Sequence, residues 1–256
     1  MPAPACAGRL PAPLREERMS GTIVVRPPSR RRWLLALVLG TVLWAMALAA
    51  SFILPQVLLG LRLGGATYAI VGVLQLALGA GAIYLACRVG GLRRRDIGFT
   101  RQRWKQDLLV GLGVAAAFAL LQFGLIIPLT GGAERSDVVA NLGKLQGGAQ
   151  AVYGMATLGI LGAISEELLF RGLILHAIAA LLGGGRAAWV VSILVVTALF
   201  GAVHGYQGWA GIVDTALYGG LTLSLLCLWR GGRLAAAMAA HAAWNAIALV
   251  CLVLLY

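Results

Sequence analysis

The stretch that decides the fold runs from residue 151 to 182, AVYGMATLGILGAISEELLFRGLILHAIAALL. It is longer than the roughly 20 apolar residues that cross a bilayer core. Its middle nevertheless holds Glu166, Glu167 and Arg171. Facing lipid, two carboxylates and a guanidinium would cost about 7–10 kcal/mol on insertion scales. They must face protein or a water-filled cavity. The stretch therefore predicts an inner helix of a membrane bundle whose charges converge on something.

The rest of the chain agrees. Hydrophobic residues make up 60% of the 256 and charged residues only 12%, about half the usual charged share of a soluble domain. Mean hydropathy is +0.88. This excludes a soluble enzyme, a disordered chain and a disulfide-built secreted domain. The apolar runs are continuous rather than alternating, so the class is all-α and polytopic, not a barrel. Spans are expected at 33–60, 66–89, 107–129, 149–182, 187–204, 209–229 and 234–256, a bundle of about seven helices with its site inside. Residues 1–32, rich in Pro, Arg and Ala, read as a disordered basic cytoplasmic arm. Residues 33–89 read as two accessory helices and 90–256 as the core. Glycines three or four apart within spans predict close helix packing.

The net charge of +12 does not mark a nucleic-acid binder, because its distribution is topogenic. Of 21 Lys and Arg, seven lie in the arm, seven between Arg88 and Lys105, and three at Arg186, Arg230 and Arg233. All of these fall on one side of the seven-pass ladder, which places that side and the amino terminus in the cytoplasm. Arg62, Arg135 and Lys144 fall outside, and the stretch 130–148 is the only sizeable external loop. The expected location is a bacterial cytoplasmic membrane. The segment 93–106 mixes Ile97, Phe99 and Trp104 with charges and reads as a basic interfacial anchor. The four cysteines form no CxxC pair and read as small buried hydrophobes.

Within the quoted stretch, Glu167 and Arg171 stand four apart with the acid first, the favourable order for an intrahelical pair. Glu166 lies about 100° round the helix and lacks a local partner, the profile of a general base. Two further pairs have helical spacing: Phe200 with His204, and His241 with Asn245. Each histidine alone is as readily a hydrogen-bonded structural group, and His176 is read so. Together the groups form a set. Straight helices would leave His204 near the outer end of its span and His241 near the inner end, so helices must tilt or break, and a re-entrant His204–Trp209 segment is one way to do so.

The ordered pattern Glu-Glu-x-x-x-Arg, Phe-x-x-x-His and His-x-x-x-Asn resembles the CAAX prenyl protease and bacteriocin-processing (CPBP, or Abi) family of intramembrane proteases. Asp96-Ile97-Gly98-Phe99 also looks like that family's approach to its core helices. The resemblance implies hydrolysis of a peptide bond in a membrane-associated substrate. Glu166 would activate water with help from His204, and His241 and Asn245 would donate to the oxyanion. Glu167, Arg171 and Phe200 would support the site. A site without metal or other cofactor is favoured, as no HExxH motif is present and Asn is a poor zinc ligand. The alternative is zinc on Glu166, His204 and His241. Rival functions are a transporter or proton relay, since intramembrane Glu, His and Asn also line ion paths, and a bacteriocin-immunity protein. No internal repeat supports transport.

The charge distribution generates a direct test of orientation. In intact cells, a membrane-impermeant thiol reagent should label Ser136→Cys and spare Gln102→Cys. The reverse pattern would invert the topology.

Overall fold

The computed structural model describes residues 28–256, so the arm up to residue 27, and Cys6 with it, lies outside the described residues. The described chain is all-helical, a multi-pass membrane bundle. Six helices are long and apolar enough to cross a membrane. They are α1 (Arg30–Leu59), α2 (Thr67–Gly90), α3 (Trp104–Leu129), α7 (Arg186–Val203), α8 (Gly205–Trp229) and α9 (Ala235–Leu255). The short α4 (Ser136–Leu142) lies between α3 and α5. The expected seventh pass is the charged run: α5 (Ala149–Glu167), a π-helical joint Leu168–Leu175, and α6 (His176–Leu181). Its acids set it apart from the six apolar helices. The span boundaries fall within four residues of those expected. The first is earlier, because Arg30, Arg31 and Arg32 open α1 instead of ending an arm.

Large apolar side chains of α1 such as Leu35, Val38, Val42 and Met46 point away from the protein. The bundle thus wears its hydrophobic face outward, as a lipid solvent allows. Inside, small residues let backbones meet. A Cβ on Gly72 of α2 would lie 2.8 Å from the Leu158 Cα of α5, and one on Gly220 of α8 would lie 2.6 Å from the Thr197 Cα of α7. The pairs α1–α2, α2–α5, α5–α9, α3–α9 and α7–α8 pack this bundle. The π-helical joint sits at its centre against α1, α2, α7 and α8, with all eight of its residues buried.

The two ends of the bundle differ. At the end carrying the basic loops, Asp107 is fully buried and takes Arg230 Nε at 2.7 Å and Arg233 Nε at 2.7 Å. Two arginines read as topogenic thus also tie the start of α3 to the α8–α9 turn. Gly98, at φ +75°, passes so close to the Gly232 carbonyl that a side chain there would collide with it. Its own carbonyl accepts the Leu234 N–H at 3.1 Å, so the Asp96–Phe99 turn is sewn to the head of α9.

At the opposite end, the stretch 130–148, read as a sizeable external loop, folds into a cap of short helical turns. Arg135 is buried and forks onto Asp137, with Nε and Nη2 each 2.7 Å from a carboxylate oxygen. It also pairs with Asp214 of α8 and donates to Thr130 Oγ1 at 2.9 Å. Gln122, in a π-helical turn of α3, donates to Asp214 at 2.8 Å. Ser136 donates to the Gln207 carbonyl at 2.9 Å. Ile127, Val138 and Leu252 form a small apolar cluster beneath. The segment His204–Trp209 is likewise no re-entrant loop: α7 ends at Val203, and after His204 the helical turn Gly205–Gln207 opens α8.

Candidate active site

Each motif helix delivers its residues to one place. Ser165, just before the acids, accepts the Trp44 indole N–H at 3.0 Å and donates to the Gln75 carbonyl at 3.0 Å. That double bond fixes the rotation of α5 against α1 and α2. Glu167 then turns into the core and Glu166 into a cavity. Past Glu167 the helix widens to π, a form that recurs at functional sites. The joint carries Arg171 back under Glu167.

Glu167 and Arg171 are both fully buried, with Nη1 2.8 Å from Oε1. The guanidinium also donates to the Gly220 carbonyl at 3.3 Å and lies 4.6 Å from the Phe200 ring centroid. The pair expected from spacing is therefore present, and it has a third member: His241 Nδ1 is 2.8 Å from the same Glu167 oxygen. A carboxylate can only accept, so Nδ1 carries the proton and Nε2 faces away. There it meets Glu166 Oε2 at 4.0 Å. His241 thus bridges the two glutamates, the buried one and the one on the cavity wall.

Glu166 has a side chain 20% exposed and, among the described residues, no hydrogen bond to protein. His204 caps α7. Its Nδ1 is 2.8 Å from the Phe200 carbonyl, so Nε2 is again the free nitrogen. The Phe200 ring stands between the two imidazoles, with centroids 4.7 Å from His204 and 5.7 Å from His241. Phe170 meets it edge-on at 4.9 Å. Asn245 is partly engaged, since its Nδ2 donates to the Gly159 carbonyl at 2.8 Å. One amide hydrogen is left for other use. His176 makes the structural bond expected of it, 2.7 Å to the Arg171 carbonyl.

Glu166, His204, His241, Asn245 and Phe200 all line one cavity of ≈ 640 Å³. Its deep wall includes Trp44, Gln75 and Phe170, and its upper wall includes Lys144, Tyr206 and Leu252. It reaches from Glu166 to the cap residues Asp137, Asn141 and Lys144. The depth conflict between His204 and His241 is resolved by α5. Glu166 comes near the end of a 19-residue helix, about 25 Å from the cap end at 1.5 Å per residue. That brings it level with His241, while His204 joins from above across Phe200.

Among the described residues no three His, Cys, Asp or Glu side chains are gathered as an ion would require. Glu166, His204 and His241 line the same cavity without forming such a group. Three cavity residues escaped the sequence reading. Gln122 and Asp137 carry no spacing signal, but Asp214 is an acid inside a span and obeys the rule that singled out Glu166.

Glu167→Gln should separate from Glu166→Gln in stability. The former strands a buried guanidinium, which typically costs about 3–5 kcal/mol, and should lower the thermal midpoint and the membrane yield. Glu166→Gln touches only the cavity wall and should accumulate at the wild-type level with an unchanged midpoint. Equal losses in a thermal-shift assay would overturn the division of labour.

Residues 148–247 match the family model described as Type II CAAX prenyl endopeptidase Rce1-like. No curated protein and no solved structure matches the chain. The matched segment holds all seven motif residues, from Glu166 to Asn245, and omits α1, α2, α3 and the cap. The model matched over residues 148–247 is thus one of CAAX prenyl proteases, the family that the motif pattern resembles.

Proposed function

We propose that the protein is an intramembrane endopeptidase in which Glu166 activates water against a peptide bond of a membrane-associated substrate. The observation that carries this reading is the contrast between adjacent acids. Glu167 is spent on Arg171 and His241, whereas Glu166 faces the cavity with no protein partner among the described residues. A carboxylate in a confined, mostly apolar cavity is a competent general base.

The chemistry follows from the free atoms. Water bound between Glu166 and His204 Nε2 gives its proton to the Glu166 carboxylate and its oxygen to the carbonyl carbon. The tetrahedral oxyanion is met by the unused amide hydrogen of Asn245. His241 assists there only as the charged ring, because Nδ1–H is committed to Glu167 and neutral Nε2 is an acceptor. This refines the sequence expectation, which gave His241 a donor role without that condition. Protonated Glu166 then returns its proton to the leaving nitrogen as the C–N bond breaks, and a carboxylate and an amine depart. Arg171, Glu167 and Phe200 position the groups that act.

The test is a proteomic comparison of membrane fractions from cells carrying wild-type protein or Glu166→Gln. At least one membrane-associated protein should persist in full length with the variant and appear truncated with wild type. Identical membrane proteomes from equally expressed proteins would remove the endopeptidase reading.

Asn245→Asp distinguishes this mechanism from a zinc mechanism. Aspartate would set an oxygen against the Gly159 carbonyl and another against developing negative charge. Cleavage of the substrate so identified should fall about a hundredfold, the usual cost of losing an oxyanion donor. Aspartate is also a better zinc ligand than asparagine. An active variant with stoichiometric zinc by mass spectrometry would overturn the metal-free assignment.

A further inference from the structure

Among the described residues, Lys144 is the one lysine or arginine on the cavity wall, where Asp137, Glu166 and Asp214 supply the acids. Two of those acids, Asp137 and Asp214, are already held by Arg135. Lys144 has no carboxylate partner of its own. Its Nζ lies 3.5 Å from Asn141 Oδ1 and 4.5 Å from the Tyr206 ring centroid, contacts that hold the ammonium in place without neutralising it. The residue is half-buried, and burial pushes its pKa below the ordinary lysine value. An ammonium removed from water against a single weak acceptor is an unfilled electrostatic demand.

The position of Lys144 gives the demand a direction. It belongs to the cap, and its Nζ lies 4.5 Å from the Tyr206 ring centroid, itself 5.9 Å from the ring of His204, which lines the cavity with Glu166. A negatively charged group drawn into the cavity is repelled at its floor by Glu166 and held at its mouth by Lys144. An extended chain bridges such a gap with several residues at roughly 3.4 Å each. Lys144 also lies before the segment 148–247 that matches the family model, so this feature belongs to the cap and not to the shared core.

We propose that Lys144, steadied by Asn141 and Tyr206, is a substrate-orienting subsite that binds a carboxylate of the peptide and sets the scissile bond several residues away. The occupant rests on the endopeptidase reading; the subsite itself is testable by binding alone. The full chain in detergent, as Glu166→Gln so that nothing is cleaved, would be titrated with a fluorescein-labelled Leu/Ala octapeptide with a free carboxyl terminus. Its carboxyl-terminal amide is the control, and the amide ending in Asp reports whether a side-chain carboxylate serves as well.

By fluorescence anisotropy the free acid should bind at least tenfold more tightly than the plain amide. Adding Lys144→Met should bring the two within twofold, and Lys144→Arg should keep the preference. Lys144→Gln serves if the methionine variant loses its gel-filtration peak. Equal affinities, no binding by either peptide, or a preference that survives Lys144→Met would overturn the subsite. So would tighter, Lys144-dependent binding of short-chain phosphatidylglycerol, which would make the occupant a lipid phosphate. Failure here leaves the proteomic test of cleavage untouched, and identical proteomes there leave the acid–amide difference intact.

Discussion

The structure depends on how a guanidinium is kept charged at the centre of a membrane bundle. Arg171 is fully buried, and the arrangement around it reads as a set of answers to that cost. Glu167 supplies the counter-charge one helical turn away, the Gly220 carbonyl takes a second hydrogen, and Phe200 presents its π-face. A pair buried this deeply gains little net stability, since desolvation offsets attraction. What it provides is position. Five elements, α5, the π-helical joint, α7, α8 and α9, must be in register for the pair to make these contacts. Glu167 also anchors His241, and His241 reaches Glu166. A charge cluster that must stay dry thereby orients the groups that must be wet.

The two carboxylates side by side in sequence illustrate how one helix serves both needs. A step of about 100° separates their directions. Glu167 is carried to the core, Glu166 to the cavity. The Trp44–Ser165–Gln75 chain of hydrogen bonds sets the helix rotation one residue earlier, so neither acid can exchange roles without breaking it. Small residues make this possible elsewhere in the bundle. Gly220 and Gly72 let neighbouring backbones approach to distances that any side chain would block.

What was legible in the sequence follows the same physics. Lipid makes every buried charge costly, so Glu166, Glu167, Arg171 and the histidines stand out, and six span boundaries could be placed within a few residues. The Glu167–Arg171 pair followed from spacing because it is local. The contact of His241 with Glu167 links residues 74 apart, and no local period encodes it. The cap was misread for the opposite reason. Polar residues are ordinary in a loop, so Arg135 and Asp137 gave no sign that they were a buried network reaching Asp214. The π-helical joint was invisible because apolar residues on every side erase the periodicity that would show an extra residue per turn. Asp214, an acid inside a span, carries the same signal as Glu166.

The separation of the bundle into a dry half and an open half has a consequence for how the site can work. Below Glu166, toward the basic loops, the interior is filled by the apolar core around Phe170, Leu173, Leu175 and Leu223, and Asp107 with its two arginines closes the end. Water that reaches Glu166 therefore comes from the cap side or from between helices at that level. The cap is held by polar bonds that water can compete for, including Ser136 to Gln207 and Arg135 to Asp214, over an apolar cluster of only three buried residues. Elements with few buried apolar contacts open at lower free energy than the core. The half of the molecule that holds Arg171 is therefore the more stable of the two, and His241, with one nitrogen toward Glu167 and the other toward Glu166, is the side chain that links them.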